Sequence, residues 1–75
     1  MLPTAAKLRV LRVIEGETIR GACRVLAMSP NGVHQHLREA RDAGWAETTG
    51  RRAGWRLTAE GRRIVRLAEQ IERAP

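Results

Sequence analysis

Ser29 and Pro30, in the stretch AMSPNGVHQHL, constrain this chain more than any other pair of its residues. Ser is a favoured N-cap, and Pro suits the first helical position, where its missing N–H would have had no intrahelical partner. A helix therefore starts here. The preceding apolar segment, IRGACRVLA, stops only a few residues earlier. Two helices must meet across a tight turn, and the rest of the chain has to be arranged around that corner.

Upstream, TAAKLRVLRVIEG follows Pro3 and places Val10, Leu11, Val13 and Ile14 on one arc, with Arg9 and Arg12 opposite and Gly16 as the stop. A second short helix is capped by Thr18 and buries Ile19, Ala22, Cys23 and Leu26, although Gly21 lowers its intrinsic propensity. In the third helix, Val33, Leu37 and Ala40 fall on one side, with His36 and Ala43 at its edge. Asn31, His34, Gln35, Arg38, Arg41 and Asp42 cover the other side, and Gly44 breaks the helix.

The period then changes. WAETT and WRLT flank GRRAG and read as a two-stranded hairpin with a glycine-bounded, doubly basic tip. A last helix starts at a Thr58 cap, with Ile64, Leu67, Ala68 and Ile71 as its apolar stripe and Arg62, Arg63, Arg66, Glu69 and Gln70 facing away. The expected order is α-α-α-β-β-α in one mainly helical domain over residues 1–75, with a small β-hairpin.

Seventy-five residues support a single thin core and leave little room for a separate effector pocket or a catalytic cleft. No Phe or Tyr is present, so that core is aliphatic, with Ala and two Trp. Fourteen basic residues, thirteen of them Arg, stand against eight acids and give a net charge of +6. Guanidinium forks onto phosphates and base edges better than an ammonium does, so nucleic acid is the leading partner. One Cys forms no intramolecular disulfide, no charged leader with an apolar run opens the chain, and no apolar run approaches the roughly 18 residues of a membrane span. A cytoplasmic protein is expected. No Ser/His/Asp order and no Gly-rich phosphate loop after a strand is present, so no enzyme activity is expected. His34 and His36 are two residues apart and do not share a helix face, and Cys23 lies on a separate apolar face, so no metal site and no cofactor is expected.

The segment IRGACRVLAMSPNGVHQHL resembles a helix-turn-helix, with small Cys23 inside the first helix, Ala27 and Met28 in the turn, and Val33 and Leu37 as anchors of the second helix. The continuation REARDAGWAETTGRRAGWRLTAEGRRIV resembles winged-helix transcriptional regulators of the MarR and ArsR type. There an acidic-Ala-Gly ends the recognition helix, a hairpin wing follows, and a Leu-Thr-x-x-Gly step enters the next helix. The resemblance covers about residues 5 to 68. Cys23 stands where Ala is commoner and Ala40 where Leu is commoner, and the long dimerisation helices of full MarR-type proteins have no counterpart in this sequence. It implies a winged helix-turn-helix, with the helix-turn-helix at about 18–43, the wing at about 45–57 and the last helix at about 59–73.

In such folds the second helix of the motif, here 29–43, enters the major groove. The expected base contacts are Pro30, Asn31, Gly32, His34, Gln35 and Arg38. Gln or Asn pairs bidentately with adenine and Arg with guanine, while Gly32 permits close backbone approach. Ser29, Arg20, Arg24, Arg41 and Arg56 are expected on the DNA backbone, although the Ser29 hydroxyl also has a capping role that needs no partner. Arg51 and Arg52, between Gly50 and Gly54, gain nothing structurally as a like-charged pair and are expected at a minor groove or its flanking phosphates. His36 and both Trp read as packing residues, and Cys23 as a small core residue.

The resulting expectation is a small transcriptional regulator, a repressor that binds double-stranded DNA as a homodimer through its first or last helix, with no small-molecule effector evident. An accessory DNA-binding protein for replication, partition or recombination of a mobile element is the alternative within nucleic-acid binding. A winged-helix protein-interaction module, whose face would be apolar and not arginine-rich, is the alternative from another class.

Overall fold

The computed structural model describes residues 2–49 and 54–73. The elements run α1 (Ala5–Ile14), α2 (Ile19–Leu26), α3 (Pro30–Asp42), β1 (Ala46–Thr48), β2 (Trp55–Leu57) and α4 (Ala59–Arg73). The order is the expected one: four helices and a two-stranded antiparallel hairpin. The hairpin pairs Ala46 with Leu57, Glu47 with Arg56 and Thr48 with Trp55.

Each helix start is written in a hydroxyl. Thr4, Thr18, Ser29 and Thr58 accept hydrogen bonds from the backbone N–H of Lys7, Gly21, Gly32 and Gly61, at 3.2, 3.0, 3.2 and 2.9 Å. Each satisfies a donor that would otherwise lack an intrahelical partner. Pro30 occupies the first turn of α3. The corner between α2 and α3 is made by Ala27, which adopts the left-handed conformation at φ 55° and lets the Met28 N–H reach back to the Cys23 carbonyl at 3.1 Å. A non-glycine residue in this conformation is costly and persists only where its surroundings require it.

The core is one aliphatic cluster drawn from every element: Leu8, Val10, Leu11 and Ile14 of α1, Ala22 and Leu26 of α2, Val33, Leu37 and Ala40 of α3, Ala46 and Leu57 of the hairpin, and Val65 and Ala68 of α4. Ile19, Cys23, Met28, Trp45 and Trp55 pack against it while partly exposed. The expected stripes of the first three helices hold, with Leu8 added and Val13, Ile19 and Cys23 only partly covered. Ala43 is exposed and not at a buried edge.

The expectation for α4 needs correction. Its buried stripe is Gly61, Val65 and Ala68, rotated away from Ile64, Leu67 and Ile71. Leu67 and Ile71 stay 43% and 53% exposed, while Glu69, expected outward, is half-buried. The cause is Gly61, which sits against the backbone of Trp45. A Cβ at this position would collide with the Trp45 carbonyl oxygen and lie 2.8 Å from its carbonyl carbon. The closest face of α4 is thus the one without a side chain, and the larger residues are turned outward.

The same junction ends α3. Gly44, at φ +85°, donates to the Arg41 carbonyl at 2.9 Å, and Trp45 N–H donates to Ala40 at 2.8 Å, the paired bonds of a Schellman motif. The Thr58 N–H then donates to the Trp45 carbonyl at 3.0 Å, and the Thr58 hydroxyl to the Gly44 carbonyl at 2.6 Å. One cap closes α3, opens α4 and aligns the hairpin between them.

Replacing Gly61 by Ala should therefore lower unfolding free energy by about 1–3 kcal/mol or more, because the added methyl meets fixed backbone. Gly21→Ala is the contrasting case. There the methyl meets only the movable Glu17 side chain, and the gain in helix propensity should make the change neutral or stabilising by up to about 1 kcal/mol. Chemical denaturation of the two variants checks the sign of each effect.

Candidate nucleic-acid interface

The outward side of α3 follows from its inward side. With Val33, Leu37 and Ala40 fully buried, helical periodicity leaves Asn31, Gln35, Arg38 and Asp42 on the opposite face, all exposed. His34 flanks them and is half-buried, and Arg41 is exposed. Pro30 is exposed in the first turn, and Ser29, also exposed, has its hydroxyl engaged with the Gly32 N–H. Of the base-contact residues expected from the sequence, Pro30, Asn31, Gln35 and Arg38 thus share one accessible surface of one helix.

Gly32 has no structural requirement to be glycine. Its φ is not positive, and a Cβ there would meet only the Ser29 Oγ at 3.4 Å, an ordinary contact. Glycine in a helix costs up to about 1 kcal/mol relative to Ala, so the fold here carries a cost with no packing return.

Charge is distributed unevenly over the elements. Lys7 pairs with Glu39 at 3.0 Å, Arg12 with Glu72 at 2.9 Å, Arg62 with Glu15 at 2.9 Å, Arg63 with Glu60 at 2.5 Å, and Arg56 with Glu47 at 2.7 Å. Their carboxylate partners raise the Arg12 and Arg63 guanidinium pKa, in each case chiefly through the hydrogen bond. Arg20 and Arg24 of α2 and Arg38 of α3 have no carboxylate partner among the described residues, nor do Arg9 of α1 and Arg66 and Arg73 of α4, and Arg41 has only its neighbour Asp42, at 3.8 Å. Arg20 and Arg24 are four apart on one helix, a like-charged arrangement that weakens an isolated helix. The two helices joined by the Ala27 corner thus share the uncompensated positive charge with Arg9, Arg66 and Arg73.

Arg56 points away from the core, as expected, but is held by Glu47, its cross-strand partner. Nothing in the alternation of WRLT announces that pairing, because it depends on hairpin register. The Arg51 and Arg52 expectation lies outside the described residues. Glu39 also went unnoticed in the sequence. Lys7 of α1, the chain's single lysine, reaches across to it, and the hydrogen bond from Lys7 is the main reason its carboxyl is held below the usual carboxylate range. His36 is half-buried, and its Nδ1 is buried without a hydrogen-bond partner, 3.9 Å from the Glu39 Oε1.

Elsewhere, an open groove between α1, β2 and α4 is floored by Leu11, Leu57 and Val65 and rimmed by Arg12, Glu15 and Arg62. It takes no residue from α2 or α3. No group of three His, Cys, Asp or Glu with metal-site geometry occurs among the described residues, and no helix there is long and apolar enough to cross a membrane. Comparison with known proteins finds no matching family model, no matching curated protein and no matching solved structure.

Gly32→Ala separates two reasons for a glycine at this turn. If the position is reserved for close approach of a ligand, the variant should be more stable by up to about 1 kcal/mol and should bind duplex DNA more weakly. Melting curves and fluorescence anisotropy with a labelled duplex measure the two effects. Equal or tighter DNA binding would remove Gly32 from the interface.

Proposed function

We propose that this protein is a winged helix-turn-helix module that binds double-stranded DNA and serves as a small transcriptional regulator, a repressor that acts by occupying its operator. The observation that carries the reading is the exposed face of α3, where Asn31, Gln35 and Arg38 stand together, with Arg20 and Arg24 exposed on the preceding helix. Arg12, Arg56, Arg62 and Arg63 have carboxylate partners, whereas Arg20, Arg24 and Arg38 have none among the described residues. These three belong to the two helices that the resemblance assigns to positioning and recognition. In this reading α3 lies in the major groove, with Asn31, Gln35 and Arg38 on base edges and the Gly32 turn close to the sugar-phosphate backbone. Arg20 and Arg24 meet phosphates, and the hairpin with Arg51 and Arg52 reaches the adjoining minor groove or backbone. Arg56 contributes only if it leaves Glu47.

A homodimer on a near-palindromic site belongs to the same reading. The last helix is favoured over the first as its interface. In α1, Val10, Leu11 and Ile14 are fully buried in the protein's own core, whereas α4 keeps Leu67 and Ile71 exposed beside half-buried Ile64.

Salt titration of duplex binding tests the electrostatic half. Affinity should fall steeply as salt rises, and Arg24→Ala should weaken binding to all sequences and reduce the slope of log K against log salt by about 0.9. Salt-insensitive binding would favour a protein-interaction module instead. Sedimentation of the Leu67→Glu, Ile71→Glu double variant tests the dimer: the unsubstituted chain should sediment as a dimer on its DNA and the variant as a monomer. An unchanged dimer would move the interface off α4.

A further inference from the structure

Glu39 is an acid on the helix that the proposed function places against DNA, where a carboxylate would ordinarily oppose binding. The structure gives it three neighbours. The Lys7 Nζ lies 3.0 Å from its Oε1, with the Lys7 side chain only 16% exposed. His36 Nδ1, buried and otherwise without a partner, lies 3.9 Å from the same oxygen. Gln35, four residues earlier on the same helix, helps to hold the same carboxylate ionised. A Glu four residues after a Gln shares its helix face, so the two side chains are within reach of each other without distorting the backbone.

The chemistry of a carboxamide makes this arrangement useful. Adenine is read by the Gln carbonyl oxygen together with the N–H on the same side of the amide. The second N–H points the other way and is free to donate to a carboxylate. A Gln whose second N–H is held has its oxygen and nitrogen assigned, so the side chain cannot turn over and offer the opposite pattern. The holding carboxylate must itself be fixed, and Lys7 fixes it from a different helix.

We propose that Glu39, anchored to α1 by Lys7, is a positioning residue that orients the Gln35 amide for reading one base pair. The inference rests on the DNA-binding reading above. Glu39 touches no base in this scheme and acts only through Gln35. The charge it brings to the recognition helix is offset by Lys7, so sequence discrimination is gained without a large loss of attraction to phosphate.

The test compares sites selected from a random duplex pool by the unsubstituted protein and by Gln35→Ala, Glu39→Ala, Glu39→Gln and Lys7→Met, with competition binding at the selected site and at an unrelated duplex. Gln35→Ala should abolish preference at one base pair. Glu39→Ala should reduce preference at that same base pair about tenfold, within the range one bidentate contact supplies, while tightening binding to the unrelated duplex because a negative charge is lost. Glu39→Gln keeps an acceptor oxygen and should retain most of the preference. Lys7→Met, which leaves α3 unaltered in sequence, should weaken preference at the same pair. The proposal is overturned if Gln35→Ala erases the preference while Glu39→Ala and Lys7→Met leave it whole, a result that keeps the DNA-binding reading. If the unsubstituted protein selects no duplex sequence, both fail.

Discussion

The carbonyl of Trp45 is the point at which the two halves of this molecule are joined. It accepts the Thr58 N–H, lies against the bare Cα of Gly61 and follows directly from the Gly44 turn that closes α3. Because the Thr58 hydroxyl caps α4 while donating to the Gly44 carbonyl, the end of one helix and the start of another are held by the same few atoms. The hairpin between them has three residues per strand and would not be stable alone. Its position follows from being clamped at both ends, and the inward Ala46 and Leu57 then reach the shared aliphatic core.

That clamp also decides what α4 can do. Bringing the helix close enough for Gly61 to touch backbone commits the Gly61, Val65 and Ala68 side to the interior. Leu67 and Ile71 are left on the surface by geometry, not by any weakness in their hydrophobicity. The proposed dimer makes use of what close packing elsewhere has left uncovered.

Electrostatics complements this division. Helices α1 and α4 are tied by Arg12–Glu72 and Arg62–Glu15, pairs that cross between them and are exposed to solvent, where such bonds contribute little to stability. Their larger consequence is that they remove those arginines from the field available to a polyanion. Glu39 of α3 is matched by Lys7, and Arg20, Arg24 and Arg38 are left without a carboxylate partner among the described residues of the α2–α3 side.

Much of this was legible in the letters. Helix starts are encoded by short-range chemistry, a hydroxyl three residues before the N–H it accepts, so Thr18, Ser29 and Thr58 marked them without tertiary information. Periodicity likewise identified the inward faces of α1, α2 and α3, and with them the outward Asn31, Gln35 and Arg38. Long-range contacts were not legible. The roles of Glu47, Glu39 and Gly61 depend on partners 9, 32 and 16 residues away, and a helix with apolar residues on more than one side, as in α4, does not disclose which side will be buried. The sequence by itself determined the elements, their order and the outward face of α3, because those follow from bonds within one or two helical turns. Only the tertiary structure decided the rotation of α4 and which arginines remain unpaired, because both are settled by which surfaces come within a few ångströms of each other once the core has closed.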